Sequence, residues 1–117
     1  MGASQSRSKQ EFEITSEGVL EKYNGQGGHV VIPAGVASIG DYAFLCCPAL
    51  TSVDMPAVTT IGSGVFEGCT NLASVAMPAV ETIEIAAFED CTSLASVAMP
   101  AVTSIQLSAF YGCLNLA

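Results

Sequence analysis

Basic residues are scarce in this chain and stop early. Its 117 residues include 3 Lys and Arg against 11 Asp and Glu, which gives a formal net charge of −8. The three cations are Arg7, Lys9 and Lys22, so no Lys or Arg follows residue 22. A surface without cations repels phosphate backbones. We therefore expect neither nucleic acid nor an anionic membrane as a partner for the body of the chain, and favour a cationic protein surface or dissolved calcium.

Residues for catalysis and metal binding are equally few. His29 is the single histidine, and the sequence contains no nucleophile elbow, zinc-protease helix, phosphate loop or paired-cysteine motif. A specific calcium site needs several oxygens that converge on one point, whereas the acidic residues here are scattered. The scattered residues are Asp54, Glu67, Glu81, Glu84, Glu89 and Asp90. We therefore expect a protein that is not an enzyme and that uses no cofactor or metal.

Long apolar runs are absent as well. Proline and glycine interrupt every apolar stretch before it reaches the length of a membrane span, and residues 1–10 lack the apolar core of a signal peptide. These ten polar residues predict a disordered arm. Gly2 and Ser6 fit the pattern for N-myristoylation, with Gly2 as the acceptor, and a cloning scar that begins Met-Gly is the alternative. Acylation of Gly2 is thus the one membrane contact that the sequence suggests.

A unit of 22 residues recurs four times after this arm. Isoleucine, phenylalanine, cysteine and leucine each return at that spacing without a shift. The columns are Ile39, Ile61, Ile83 and Ile105; Phe44, Phe66, Phe88 and Phe110; Cys47, Cys69, Cys91 and Cys113; and Leu50, Leu72, Leu94 and Leu116. Repetition at a fixed period predicts a solenoid, in which each unit stacks on its neighbour and binding takes place on surfaces.

Each unit contains one short strand. Val53 and Met55 alternate with Asp54, and this period of two predicts a strand with one buried face. Pro56 lacks a backbone donor and marks the end of the strand. We expect the segment that carries the Phe and Cys of each unit to make about one helical turn. Each unit is then one coil of a right-handed spiral.

The pattern I-P-x-x-V-x-x-I-G-x-x-A-F-x-x-C-x-x-L-T-S-V resembles the leucine-rich repeat of the BspA-like, Treponema-type family, from Val31 to the end of the chain. The stretch before it resembles the hairpin cap of such repeats, with the turn at residues 24–28. The resemblance implies a leucine-rich repeat solenoid, a right-handed coil of short parallel strands. We expect an arm at residues 1–10, a hairpin-like cap at 11–32, and four repeats at 33–117, of which the last is incomplete.

The resemblance also implies a function. We expect a non-catalytic protein-interaction module, used in adhesion or in scaffold-like binding. The alternatives are a structural element that assembles with itself through an uncapped C-terminal end, and a fragment of a longer surface protein. A genuine N-terminus would place the chain in the cytoplasm or at the membrane periphery, whereas a fragment of a typical family member would belong at the cell surface.

Two surfaces are candidates for binding. The first is the outward face of the strands. Its residues are Ser52, Asp54, Ser74, Ala76, Ser96 and Ala98. The second is a small apolar patch of Ile85 and Leu107, which replace Asp41 and Ser63 of the earlier units. We expect these two to form a contact patch if they are exposed; burial by a changed turn is the alternative.

Four of the five cysteines are expected to pack in the core. These four lie 22 residues apart, too far for the closely spaced ligand pairs of zinc sites, and fit the role of apolar core filler. Cys46 interrupts this pattern because it stands beside Cys47. It is the cysteine that we select as a candidate for reactivity or for linkage between two chains.

Overall fold

A computed structural model describes residues 11–116, all as strands, turns and loops without a helix. The strands are β1 Phe12–Ile14, β2 Val19–Tyr23, β3 Gly28–Val31, β4 Ser38–Ile39, β5 Leu50–Asp54, β6 Thr60–Ile61, β7 Ser74–Ala76, β8 Thr82–Ile83, β9 Ser96–Ala98 and β10 Ser104–Ile105. They form a solenoid of stacked coils, as predicted. The expected arm at residues 1–10, with Gly2, lies outside the described residues.

The first side of the solenoid is a parallel sheet with the order β3, β5, β7 and β9. Its register follows the repeat, since Ser52 pairs with Ser74, and Ser74 with Ser96. Val53 and Val75 between these positions are buried. The predicted alternation is therefore confirmed, with one face of the sheet in the core and the other in solvent.

The second side begins with the hairpin. Strands β1 and β2 are antiparallel, and β2 continues into parallel pairing with β4 and then β6. The hairpin turn lies at residues 15–18, where the Gly18 amide donates to the Thr15 carbonyl at 3.0 Å. A separate parallel pair, β8 and β10, follows in the later coils. The second sheet is thus interrupted between β6 and β8. The residue that follows these strands changes there from glycine, at Gly62, to the larger Glu84.

The predicted hairpin turn at residues 24–28 is wrong. This segment turns a corner of the first coil, and β3 then pairs in parallel with β5. At the corner, the Gly27 amide donates to Tyr23 Oη at 2.8 Å. Gly27 has a φ of 89°, and an added Cβ would lie 2.5 Å from the carbonyl carbon of Ala49. Glycine at this position thus permits the corner to stack closely on the next coil. A hairpin turn here would have made β2 and β3 antiparallel neighbours, which they are not.

The third side differs from the predicted helical turn. Its residues form a series of turns whose backbones bond from coil to coil, for example from the Phe44 amide to the Val65 carbonyl at 2.9 Å and from Phe66 to Ala87 at 2.8 Å. Each coil has two positions in the left-handed region. The positions are Tyr42, Gly64, Ala86 and Ser108, and Cys46, Gly68, Asp90 and Gly112. Positive φ angles exclude an α-helix, so the third side is joined by hydrogen bonds between coils as the sheets are.

Stacked side chains fill the space between the three sides. The rings of Phe44 and Phe66 lie 5.0 Å apart, those of Phe66 and Phe88 5.3 Å, and those of Phe88 and Phe110 5.2 Å. Tyr23 begins the column, 4.8 Å from Phe44. Full burial of each such ring contributes roughly 1.5–3 kcal/mol. The column runs through the described coils and gives the repeat a continuous aromatic core.

Candidate interaction surface

The solvent face of the first sheet, which we call the strand face, consists of two columns of side chains. They are His29, Ser52, Ser74 and Ser96, and Val31, Asp54, Ala76 and Ala98. All are partly or fully exposed, and the valines between them point into the core. The regular register of the strands therefore aligns residues from four coils on one flat surface.

All six residues predicted for this face lie on it, and the structure adds His29 and Val31. Sequence reasoning placed these two in a hairpin. The sequence did contain evidence for a strand here, because Val30 and Ile32 stand before Pro33 at the same spacing as the apolar residues before the prolines of the later strands. This evidence was missed because the strand does not follow the 22-residue period. His29 pairs with Ser52, 23 residues later, after a register shift between Gly28 and His29.

His29 connects the two columns of the strand face. Its Nδ1 lies 2.5 Å from Ser52 Oγ, and its Nε2 lies 3.5 Å from Asp54 Oδ2. These are the residue types of a Ser-His-Asp triad. The contact to Asp54 is too long for the hydrogen bond that orients a catalytic imidazole, and the His29 and Asp54 side chains are 54% and 50% exposed on an open face. The group is suited to binding, as a set of polar contacts for a partner.

A shallow groove of ≈ 280 Å³ lies beside Asp54 at the end of the strands. It is lined by Val31, Asp54, Met55, Pro56, Ala76 and Pro78. Asp54 is the single charged residue among them, at the edge of an otherwise apolar surface. An aliphatic side chain with a terminal cation matches this combination, because its stem packs on apolar atoms while its charge reaches the carboxylate.

The charge around this groove has one sign. Lys22 is the only Lys or Arg among residues 11–116, and it lies on β2 in the other sheet. All 11 Asp and Glu residues fall within the same part of the chain. The field of the solenoid therefore attracts cations and repels anions.

Ile85 and Leu107 are exposed, at 51% and 76% of their surface. They occupy equivalent positions in neighbouring coils, where the Gly64 amide donates to the Ile85 carbonyl and the Ala86 amide to the Leu107 carbonyl. Two coils earlier, Asp41 Oδ1 accepts a hydrogen bond from the Ser63 amide at 2.9 Å. The Asp41 side chain thus joins two neighbouring coils, a contact that Ile85 and Leu107 cannot make. Whether Ile85 and Leu107 bind a partner remains a proposal.

The last described coil carries further exposed apolar side chains. They are Ile105, Leu107, Tyr111 and Leu114. Val97 and Phe110 are only partly buried, whereas their counterparts one coil earlier, Val75 and Phe88, belong to the core. This coil forms the C-terminal end through which we predicted self-association.

All five cysteines lie in the described part of the chain and are free. Cys69 and Cys91 are buried in the core, Cys47 and Cys113 are partly buried, and Cys46 is exposed. Among residues 11–116, no three His, Cys, Asp or Glu side chains converge as a metal site would require. The same part of the chain has no helix that is long and apolar enough to span a membrane.

Solved structures of bacterial leucine-rich repeat proteins are similar to this chain. The Treponema pallidum leucine-rich repeat protein TpLRR matches with a TM-score of 0.79 and 28% identity, over 97% of this chain and 70% of that one. A leucine-rich cell surface protein from Faecalibacterium prausnitzii matches with a TM-score of 0.77 and 32% identity, over 96% of this chain and 35% of that one. A leucine-rich repeat protein from Bacteroides ovatus matches with a TM-score of 0.68 and 26% identity, over 76% and 24%.

A search of curated proteins gave no match. The family model described as the BspA type leucine rich repeat region matches residues 23–117, with six copies of its repeat. The match begins at Tyr23, within the stretch that we predicted as a cap, and covers the rest of the chain. The chain therefore belongs to the BspA-type leucine-rich repeat family.

Proposed function

We propose that this chain is a non-catalytic protein-interaction module, and that it binds a partner protein through the strand face. The observation that carries the proposal is the alignment of His29, Ser52 and Asp54 beside an apolar groove. Repeat solenoids commonly bind through extended surfaces of this kind. The partner presents Lys or Arg side chains, because the described surface is acidic and the groove ends at the Asp54 carboxylate.

The small side chains of the strand face determine how a partner approaches. Ala76 and Ala98 lie next to Asp54 along the same column and leave the surface flat. A partner backbone can come close to such a surface. Aromatic and Arg side chains, which dominate strong contact sites, are missing from the two columns, so one module binds weakly and affinity grows with the number of modules.

An affinity measurement with two matched variants tests this proposal. The probe is a peptide rich in Lys and Arg, with a Glu-rich peptide of equal length as the control. Ala76→Arg places a cation and a large side chain on the strand face, whereas Thr60→Arg adds the same charge to the exposed surface of β6. We expect Ala76→Arg to abolish binding and Thr60→Arg to reduce it slightly. Equal losses in both variants would show general attraction to charge and would contradict the proposal.

We further propose adhesion or scaffold-like binding at a cell surface as the setting of this module. Two facts support it: one similar protein is a leucine-rich cell surface protein, and this chain spans 35% of that protein. Antibody labelling of intact cells of the source organism, with permeabilised cells for comparison, tests the location. Labelling that requires permeabilisation would contradict it.

Self-assembly is a second candidate function, because the last described coil exposes several apolar side chains. In this case the partner is another copy of the chain, bound through that coil. The two functions respond to different variants. Ala76→Arg removes binding through the strand face, whereas a charged residue at Leu107 or Leu114 removes assembly through the last coil.

A further inference from the structure

The thiols of the cysteine column have a regular set of partners, apart from the first thiol. Each later Sγ donates to the carbonyl oxygen of a Phe residue in the preceding coil at 3.1 Å. These pairs are Cys69 with Phe44, Cys91 with Phe66, and Cys113 with Phe88. Cys47 Sγ instead lies 3.9 Å from the Leu45 carbonyl oxygen of its own segment. Cys47 is also more exposed than Cys69 and Cys91, so it differs from the structural members of its column.

Cys47 and Cys69 are stacked on each other at the start of this column. The contact with the Cys69 thiol lowers the pKa of Cys47, and the same contact together with burial raises the pKa of Cys69. Cys47 is therefore the thiol of this pair that ionises more readily, and it is partly open to solvent. Cys69 remains protonated behind it, fully buried and 3.1 Å from the Phe44 carbonyl.

The stacking brings the two residues within reach of a covalent bridge. Three positions earlier, the rings of Phe44 and Phe66 are 5.0 Å apart, which shows how closely these two coils approach. Residues in register on neighbouring parallel segments have Cα atoms roughly 4.8 Å apart. A disulfide requires Cα atoms about 4.4–6.8 Å apart. A bridge between Cys47 and Cys69 therefore needs only a small local adjustment.

We propose that Cys47 and Cys69 are a redox pair, which a small disulfide oxidises to a disulfide bond between two stacked coils. The Cys47 thiolate attacks one sulfur of the small disulfide, forms a mixed disulfide and releases one thiolate. The Cys69 sulfur then attacks the Cys47 sulfur and releases the second small thiol, which takes the Cys69 proton. The protein loses two electrons and two protons, and the small disulfide is reduced to two thiols.

The other cysteines are less suited to this reaction. Burial raises the pKa of Cys91 to about 12 and also raises the pKa of Cys113. Cys46 was the candidate from the sequence, but its side chain is on the surface, where its Sγ lies next to Gly68 and not in the column. Cys113 is partly exposed like Cys47, but its Sγ donates to the Phe88 carbonyl and its pKa is raised, whereas the pKa of Cys47 is lowered. The redox pair does not depend on the function proposed for the strand face.

Reaction with oxidised glutathione at neutral pH, followed by intact mass and peptide mapping, tests the redox pair. We expect the native chain to lose two hydrogen masses and to yield a peptide that links Cys47 to Cys69. Cys69→Ser should stop at a stable glutathione adduct on Cys47, and Cys46→Ser should react as the native chain does. Cys47→Ser should leave Cys69 unmodified.

The native chain alone can contradict the proposal, so the test does not depend on a variant that folds poorly. A glutathione adduct that persists on Cys47 would show that Cys69 does not take part. First reaction at Cys46, or a disulfide between any other two cysteines, would show that the column does not select Cys47. Each of these results would overturn the redox pair.

Discussion

His29 Nε2 lies 3.5 Å from Asp54 Oδ2, although His29 precedes the first complete repeat and Asp54 belongs to the strand after it. The contact exists because β3 pairs in parallel with β5. It extends the strand face by one coil beyond the residues that carry the 22-residue pattern. It also places the Asp54 carboxylate at the edge of the apolar groove.

Neutralising Asp54 should weaken the binding of a basic peptide. We expect Asp54→Asn to reduce affinity roughly three- to tenfold, since a hydrogen bond to a charged group contributes about 1.5–3 kcal/mol and the exposed site retains part of it. Glu81→Gln makes the same change of charge at an exposed position outside the groove. Calorimetry at low salt measures both, and an equal effect of the two variants would contradict a specific role for Asp54.

Ala86→Gly should stabilise the protein. Ala86 has a φ of 59°, and the left-handed region costs a residue with a Cβ roughly 1–2 kcal/mol relative to glycine. Gly64 fills the equivalent position one coil earlier. We expect a gain of about 1 kcal/mol in the free energy of unfolding by urea. If this side were helical, glycine would instead cost roughly 0.5–1 kcal/mol, so a loss of stability would contradict the observed turns.

Phe66→Ala should be more costly than Phe110→Ala. Phe66 is fully buried and stacks on a ring on each side, whereas Phe110 is partly buried and stacks on Phe88. Removal of a buried Phe side chain costs about 3–5 kcal/mol. We expect that cost for Phe66 and about half of it for Phe110 in denaturant unfolding. Equal costs would show that the two coils are packed alike.

The buried thiols should make the protein less stable in alkali. Burial raises the pKa of Cys91 from 9.0 to about 12, so between these values the unfolded chain loses a proton that the folded chain keeps. Stability from this group is complete below pH 9 and falls as the pH rises toward 12. The slope is at most about 1.4 kcal/mol per pH unit for one thiol. Urea unfolding at about pH 8 and about pH 11 should show a smaller difference for Cys91→Ala than for the native chain.

A protein of these 117 residues should associate with itself at high concentration. The exposed Leu107 and Leu114 side chains can be buried by contact between two last coils. We expect the mass from light scattering to rise with concentration in the native chain. Replacement of both leucines by Lys should keep the protein monomeric over the same range. A constant monomer mass for the native chain would contradict self-association.

The repeat columns allowed the solenoid and the strand face to be predicted from the sequence. Val53, Val75 and Val97 recur with polar or small neighbours, and a strict period leaves one choice of register. The third side could not be predicted in this way. Half of its eight left-handed positions hold residues with no intrinsic preference for positive φ, namely Tyr42, Cys46, Ala86 and Ser108, so hydrogen bonds between coils determine their conformation.

The start of the solenoid was missed for a different reason. A search for a spacing of 22 residues excludes His29, which precedes its partner Ser52 by 23. The glycines at residues 24–28 also suggested a tight hairpin, whereas they allow the chain to turn beneath Ala49. Cys47 posed a similar problem, because its distinct environment depends on its place at the end of a stack, which residue type alone does not reveal.

The most direct test of the central claim is a backbone amide NMR titration of the isotopically labelled chain with a peptide rich in Lys and Arg. We predict shift changes concentrated at Val31, Asp54 and Ala76, which border one groove although they come from three strands. The surface of β4 and β6 should remain unchanged. Changes spread over acidic residues on all sides, or confined to the second sheet, would contradict binding through the strand face.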